Sequence, residues 1–201
     1  MLKTRIAVLV SGGGTNLQAL IDAQGKVLNS GEIVLVVSSN PGAYALKRAE
    51  AAGIKACALN KKELGGQEAF EKALLELLAE NRIELIVLAG FLSILSSDFT
   101  AAYKDRIINI HPSLIPSFCG KGMYGLKVHE AALKKGVKVT GATVHFVNEV
   151  PDGGKILAQK AVKVLEGDTA EVLQRRVMEE AEWILLPQVT EAVAAKLREE
   201  H

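Results

Sequence analysis

Residues 107–111 read Ile-Ile-Asn-Ile-His, and Pro112 and Ser113 follow at once. An apolar strand at 107–110 that ends this way puts Asn109 and His111 on one side of the chain, because side chains alternate along a strand. An amide donor beside an imidazole can hold a developing oxyanion and move a proton at the same point. A carboxylate is the natural third member, since a negative charge favours the imidazolium. Asp152, in Asn148-Glu149-Val150-Pro151-Asp152-Gly153-Gly154, is the candidate, although Asp before Gly is also an ordinary turn signal. Taken alone, Asn-x-His fits a turn amide and a packed loop histidine better than a catalytic pair. The other elements have to reverse that balance.

The second chemical signal is Ser11-Gly12-Gly13-Gly14-Thr15-Asn16, between a strand and a helix. Glycines there let the backbone approach a ligand closely, and free N–H groups at a helix start attract phosphate. The dinucleotide pattern G-x-G-x-x-G fails because Leu17 stands at the third glycine position. The next strand ends Val37-Ser38-Ser39-Asn40, with no acid for a ribose hydroxyl, and no G-K-[ST] follows the loop. A single phosphomonoester or sugar phosphate is the expected ligand, with a purely geometric turn as the alternative. No metal is expected: the histidines are His111, His129, His145 and His201, and they form no H-x-x-x-H pattern. His145 is predicted to be packed or hydrogen-bonded, His129 to be a cap-region or surface residue, and Trp183 to be core. A nucleophilic Cys119 would need a base.

The elements that must position these groups read as βαβαβα. Short Ile/Val/Leu runs at 6–10, 33–37, 54–59, 85–88 and 107–110 are of the kind buried on both faces of a parallel sheet. Helical spacing covers 16–28, 43–52 and 67–80. That order implies a parallel α/β sheet with helices on both faces. The last third differs: a helix at 128–135, long strands at 139–147 and 155–164 joined as a hairpin and antiparallel in part, then a helical pattern from 169 to about 197 kinked near Pro187. In such a sheet ligands sit beyond the carboxyl ends of the strands, where His111 and the Asp152 link are expected to meet.

With 201 residues, 49% hydrophobic, the chain fits one domain spanning 1–201, able to bury roughly 70% of its unfolded surface. Twenty-four Lys and Arg against 23 Asp and Glu leave no basic field for nucleic acid or a membrane surface. There is no run of 18 apolar residues, and Met1-Leu2-Lys3-Thr4-Arg5 leads into a strand rather than a signal peptide, so a cytoplasmic location is expected. Cys57 and Cys119 are too few for a disulfide framework.

The sequence resembles the phosphoribosylglycinamide formyltransferases, folate-dependent enzymes of purine synthesis, almost end to end. The likeness rests on residues 10–18 (Val-Ser-Gly-Gly-Gly-Thr-Asn-Leu-Gln), 88–95 (Leu-Ala-Gly-Phe-Leu-Ser-Ile-Leu), 109–114 (Asn-Ile-His-Pro-Ser-Leu) and 140–147 (Thr-Gly-Ala-Thr-Val-His-Phe-Val), with Asp152-Gly153-Gly154 and Pro187. It implies a single-domain Rossmann-like formyltransferase fold with an antiparallel C-terminal extension. It also implies transfer of a formyl group from 10-formyltetrahydrofolate, as co-substrate, to the amine of a phosphoribosyl glycinamide, without metal. By resemblance Asn109, His111 and Asp152 form the catalytic trio. Gly14, Thr15 and Asn16 contact the phosphate side, and Glu182 the glycinamide end. Gln67, Leu92, Ser93, Ile94 and Leu95 belong to the folate site with Asn109, Asn148, Glu149, Val150, Pro151 and Asp152. Small molecules are the implied partners, for a monomer or homodimer.

There are departures. Gln67 and Ser93 stand where relatives carry arginine, which removes charge from the site of the folate's glutamate tail. Residues 118–127 are longer than in many relatives, and Lys121, Tyr124 and Lys127 there offer two cations and a ring that compensate if this glycine-rich loop closes over the site. The span from Val177 to Glu182 carries one extra residue. Formyltetrahydrofolate hydrolases share Asn-Ile-His but carry a further N-terminal domain. Formyltransferases acting on initiator tRNA carry a further C-terminal domain and basic character. A non-catalytic sugar-phosphate module would not need the trio.

Overall fold

The computed structural model describes residues 3–199, so the start-of-chain reading at Met1 and Leu2, and His201, lie outside the described residues. Strands β1 (Thr4–Val10), β2 (Gly31–Ser38), β3 (Lys55–Ala58), β4 (Leu85–Leu88) and β5 (Ile107–His111) run parallel. β6 (Val139–Phe146) and β7 (Ile156–Lys163) run antiparallel, completing one seven-stranded sheet of order β3-β2-β1-β4-β5-β6-β7. The helices are α1 (Thr15–Ala23), α2 (Tyr44–Ala51), α3 (Gln67–Glu80), α4 (Ser97–Ala102), α5 (Leu126–Lys135), α6 (Ala170–Val177) and α7 (Trp183–Glu199).

Period-2 alternation divides the core. Ile6, Val8 and Val10 of β1 join Leu17 and Leu20 of α1 and Leu186 of α7 on one face. Ala7 and Leu9 join Phe70, Leu74 and Leu78 of α3 and Phe99 of α4 on the other. Each fully buried Val, Leu or Ile contributes about 1.5–3 kcal/mol, so β1, buried on both faces, is the spine of the fold. β2 and β4 flank β1, so the connections leaving β1 and β4 diverge and open a crevice at their carboxyl ends. The glycine loop and Gly90-Phe91-Leu92 border that crevice.

Two expectations need correction, and one helix has no counterpart in the sequence reading. α1 stops at Ala23 rather than reaching residue 28: Gly25 takes φ 74°, and the amides of Lys26, Val27 and Leu28 fold back onto the Ala23 carbonyl. The helical pattern is interrupted by a π-helical turn, Met178–Glu182, five residues before Pro187, which itself lies inside α7. α4 was not legible, since six residues with one large apolar side chain show no periodicity; the Ser96 hydroxyl caps it by accepting from the Phe99 N–H.

Candidate active site

Asn109 and His111 do share one side of β5, at its carboxyl end. β6 pairs beside them with Asn109 opposite His145 and His111 opposite Thr143. Because β6 is antiparallel, the link to β7 leaves at the other end of β5, next to Ile108. The expected meeting of His111 with the Asp152 link occurs, although the link starts from the opposite end of β5. The link folds back over the sheet, and Gly154 permits this: a Cβ there would lie 1.7 Å from the Phe146 carbonyl oxygen. Asp152 Oδ2 thereby comes 3.7 Å from His111 Nδ1, and Oδ1 3.5 Å from His145 Nε2.

The hydrogen bonds assign the protons. His111 Nε2 lies 2.9 Å from the Phe118 carbonyl, which can only accept, so Nε2 carries a hydrogen and Nδ1 is the nitrogen that faces Asp152. His145 Nδ1 donates to the Phe146 carbonyl at 2.8 Å. A neutral His145 then accepts through Nε2 from Asn109 Nδ2, 3.1 Å away, which orients the amide and leaves its second N–H free for a ligand. His145 is both packed and hydrogen-bonded, as expected, and its register opposite Asn109 gives it the further task of orienting that amide. Burial works against an ionised Asp152. The imidazoles of His145 and His111 beside it, and the Gly120 amide, which donates at 2.7 Å, outweigh it and hold the carboxyl below its ordinary value. Residues beyond His111 are braced by Thr143, whose hydroxyl donates to the Ser113 carbonyl at 2.7 Å and accepts from the Ile115 N–H.

Two cavities meet at this group. One, about 230 Å³, runs between residues 91–95 and 147–152 and reaches Asn109, His145 and Asp152. It contains Leu92, Ser93, Ile94, Leu95, Asn148, Glu149, Val150 and Pro151 in its walls, with Leu92 and Ile94 strongly exposed. The other, about 270 Å³, runs from Asn16 past Glu182 and His129 to Asn109, His111 and Asp152. Gly14, the residue before α1, takes φ 73°, and a Cβ there would press within 2.6 Å of the Ala45 Cβ, so glycine is required. No side chain caps α1, so the amides of its first turn, at Thr15 and Asn16, face the loop. Asn16 Nδ2 donates to Glu182 Oε2 at 2.6 Å. Burial pushes the Glu182 carboxyl up to about 7, and the bond from Asn16 offsets only part of that.

A family model described as formyl transferase matches residues 4–190. The chain belongs to the formyl transferase family. It is 44% identical to a phosphoribosylglycinamide formyltransferase from Brucella melitensis, with a TM-score of 0.88 and coverage of 96% of this chain and 97% of that one. A glycinamide ribonucleotide transformylase 1 from Symbiobacterium toebii is 41% identical, with a TM-score of 0.88, over 98% of this chain and 88% of the other. The trifunctional purine biosynthetic protein adenosine-3 of Gallus gallus is 46% identical over 96% of this chain, which spans only 19% of that protein's length. A chloroplastic phosphoribosylglycinamide formyltransferase of Arabidopsis thaliana is 37% identical over 89% of this chain and 61% of its own.

Within this formyl transferase frame several side chains differ from expectation. His129 is not a cap or surface residue: it is fully buried on α5 and lines the second cavity. Its apolar-face neighbours on the helix, Val128 and Ala132, pull it inward. Trp183 is half-buried, not core; it lines a separate cavity with Thr15 and Arg48 behind the glycine loop. Gln67 carries no charge to the folate side, and its amide is committed to the protein: Nε2 donates to Glu71 Oε1 at 2.5 Å and to the Ile94 carbonyl at 2.9 Å. Glu71 in turn accepts from the Ser96 amide and hydroxyl, so this cluster fixes residues 94–96. Lys61, which sequence reasoning did not single out, lines with Gln67 a further cavity that shares Leu92 to Leu95 with the first. Lys127 stacks over Tyr124, its Nζ 4.7 Å from the ring centre. Burial and the charge of Asp152 keep the Cys119 thiol above its usual pKa, against a nucleophilic role. Among the described residues there is no cluster of His, Cys, Asp and Glu able to hold a metal and no helix long and apolar enough to cross a membrane.

Proposed function

We propose that this chain transfers a formyl group from 10-formyltetrahydrofolate to the amine of N1-(5-phosphoribosyl)glycinamide, a step of purine biosynthesis. One observation carries the reading: two cavities share Asn109 and Asp152 in their walls, and the second also reaches His111. The cleft walled by Leu92 to Leu95 and Asn148 to Asp152, with Gln67 at its edge, takes the folate. The cavity lined by Asn16 and Glu182, with Gly14 and Thr15 just before Asn16 in the chain, takes the phosphoribosyl glycinamide.

The neutral amine attacks the formyl carbon, and the carbonyl π pair moves to oxygen. The free N–H of Asn109 donates to that oxygen, as does His111 through a protonated Nδ1. Asp152 stays ionised beside His111 and His145 and accepts a proton from the attacking nitrogen, directly or through water. That proton passes to the folate nitrogen. The carbon–nitrogen bond to folate breaks as the carbonyl reforms, leaving tetrahydrofolate and the N-formyl product. Loop 118–127 sits over this group through the Phe118 carbonyl and the Gly120 amide, which suits exclusion of water that would hydrolyse the donor.

The test is a formyl-transfer assay with both substrates, following formylated product and free formate. Amine-dependent product supports the reading. Formate release that ignores the amine would make the chain a hydrolase, and no turnover with intact binding would make it a sugar-phosphate module.

A further inference from the structure

The middle of the phosphoribosyl cavity contains polar atoms that no protein group satisfies. His129 is fully buried, yet neither Nδ1 nor Nε2 has a hydrogen-bonding partner. Asn16 Oδ1, on the same cavity wall, is also unpartnered, its amide nitrogen being spent on Glu182. Leaving a buried polar atom unpaired costs about 1–3 kcal/mol, and native structures keep such groups where something else completes them. The formyl-transfer steps above make no use of His129.

Its chemistry narrows what would complete it. Burial, with the positive charge of His111 nearby, lowers its pKa to about 4, so the ring is neutral at neutral pH. A neutral imidazole offers one donor and one acceptor, the complement of a hydroxyl, which is also both. It offers no charge to a phosphate or a carboxylate. The cavity walls include Asn16, in the first turn of α1, as well as Asn109 and His111. A ligand with its phosphate toward Asn16 and its amine toward Asn109 and His111 puts its sugar between them, at His129. Resting on the function proposed above, we infer that His129 is a further substrate-binding residue, one of whose ring nitrogens hydrogen-bonds a ribose hydroxyl. It fixes the sugar and with it the distance of the amine from the formyl carbon.

Calorimetric binding tests this with phosphoribosyl glycinamide and its 2′-deoxy and 3′-deoxy analogues, on wild type and on His129→Phe, which keeps ring volume and removes both nitrogens. The expected result is a tenfold or greater loss of affinity for the full substrate in His129→Phe. One deoxy analogue should bind both proteins equally, because the hydroxyl that His129 holds is already gone. Tetrahydrofolate binding should not change. Equal losses for all three ribosyl ligands would mean that the ring only supports the fold, and no loss for the full substrate would also overturn the assignment. If His129→Phe fails to fold, nitrogen-15 spectra of wild-type His129 decide: both ring resonances unmoved by the full substrate would refute the contact, whereas a shift with the full substrate that one deoxy analogue does not cause supports it. Failure of the wild type to bind phosphoribosyl glycinamide at all is a separate outcome, which overturns the functional reading and this inference together.

Discussion

Glu182→Gln and His129→Phe are expected to change the pH dependence of stability in opposite directions. Burial raises the Glu182 carboxyl from 4.5 to about 7. Such a group holds its proton more tightly in the folded state, so its stabilising contribution is whole below pH 4.5 and is lost as pH climbs to 7. At roughly 1.4 kcal/mol per pH unit the loss is about 3 kcal/mol. Gln at 182 keeps an acceptor for Asn16 Nδ2 and cannot ionise. The stability of Glu182→Gln relative to wild type should therefore rise by about 3 kcal/mol between about pH 4.5 and 8. His129 is shifted the other way, from 6.5 to about 4. Its contribution is whole above pH 6.5 and is lost as pH falls through 4, so His129→Phe should gain on wild type as the solution is acidified. In wild type the two slopes oppose one another, and the single variants expose them. Urea unfolding of the ligand-free proteins at a series of pH values is the assay, because subtracting the wild-type curve removes every other titrating group. A Glu182→Gln difference that stays flat with pH, or narrows as pH rises, would refute the burial argument.

Other outcomes follow from the site. His111→Ala and Asn109→Ala should each lower kcat by about two to three orders of magnitude with the thermal midpoint little changed, since each removes a donor worth about 3–4 kcal/mol to the transition state; near-normal turnover in either would remove it from the mechanism. Asp152→Asn should lower kcat across neutral pH. Because the folded carboxyl titrates below its usual 3.8, its stabilising effect is present above that value and lost at more acid pH, so the variant's acid unfolding curve should be shallower there. Gly13→Val should raise KM for the phosphoribosyl substrate but not for folate, since a Cβ there meets nothing within 4 Å; Gly14→Val, pressed against Ala45, should instead lower stability, and both are read by paired KM and melting measurements. Gln67→Ala frees the Ile94 carbonyl and should raise KM for folate several-fold at unchanged kcat, with an equal effect on both constants counting against the clamp.

The parallel half of the sheet was legible because strands buried on both faces are written as unbroken Ile, Val and Leu runs. The Asn109 and His111 pairing was legible because it is local, two residues along one strand. What stayed hidden depends on elements that meet in space. The direction of β6 decides that His145 faces Asn109, and no local pattern encodes it. His129 looks like a helix-start residue until the docking of α5 shows which face is turned inward. Lys61 and Gln67 sit far apart from residues 92–96 in sequence, and only the approach of α3 to that segment makes Gln67 a clamp rather than a missing charge.

The π-helical turn Met178–Glu182 has a consequence for chain length. An α-helix advances about 100° per residue, so inserting one residue would ordinarily swing everything beyond it around the axis by that angle. Glu182 would leave the cavity, and Leu186, Val189 and Val193 would rotate out of the core they now fill. A turn with i→i+5 bonding takes in an additional residue without that rotation. An extra residue of the kind the resemblance implies between Val177 and Glu182 would be accommodated there, beside Glu179 and Glu180, which the turn leaves exposed to water. The joint works as a phase adjuster between two helices, allowing the length of the segment to change while the aim of its one inward carboxylate is kept.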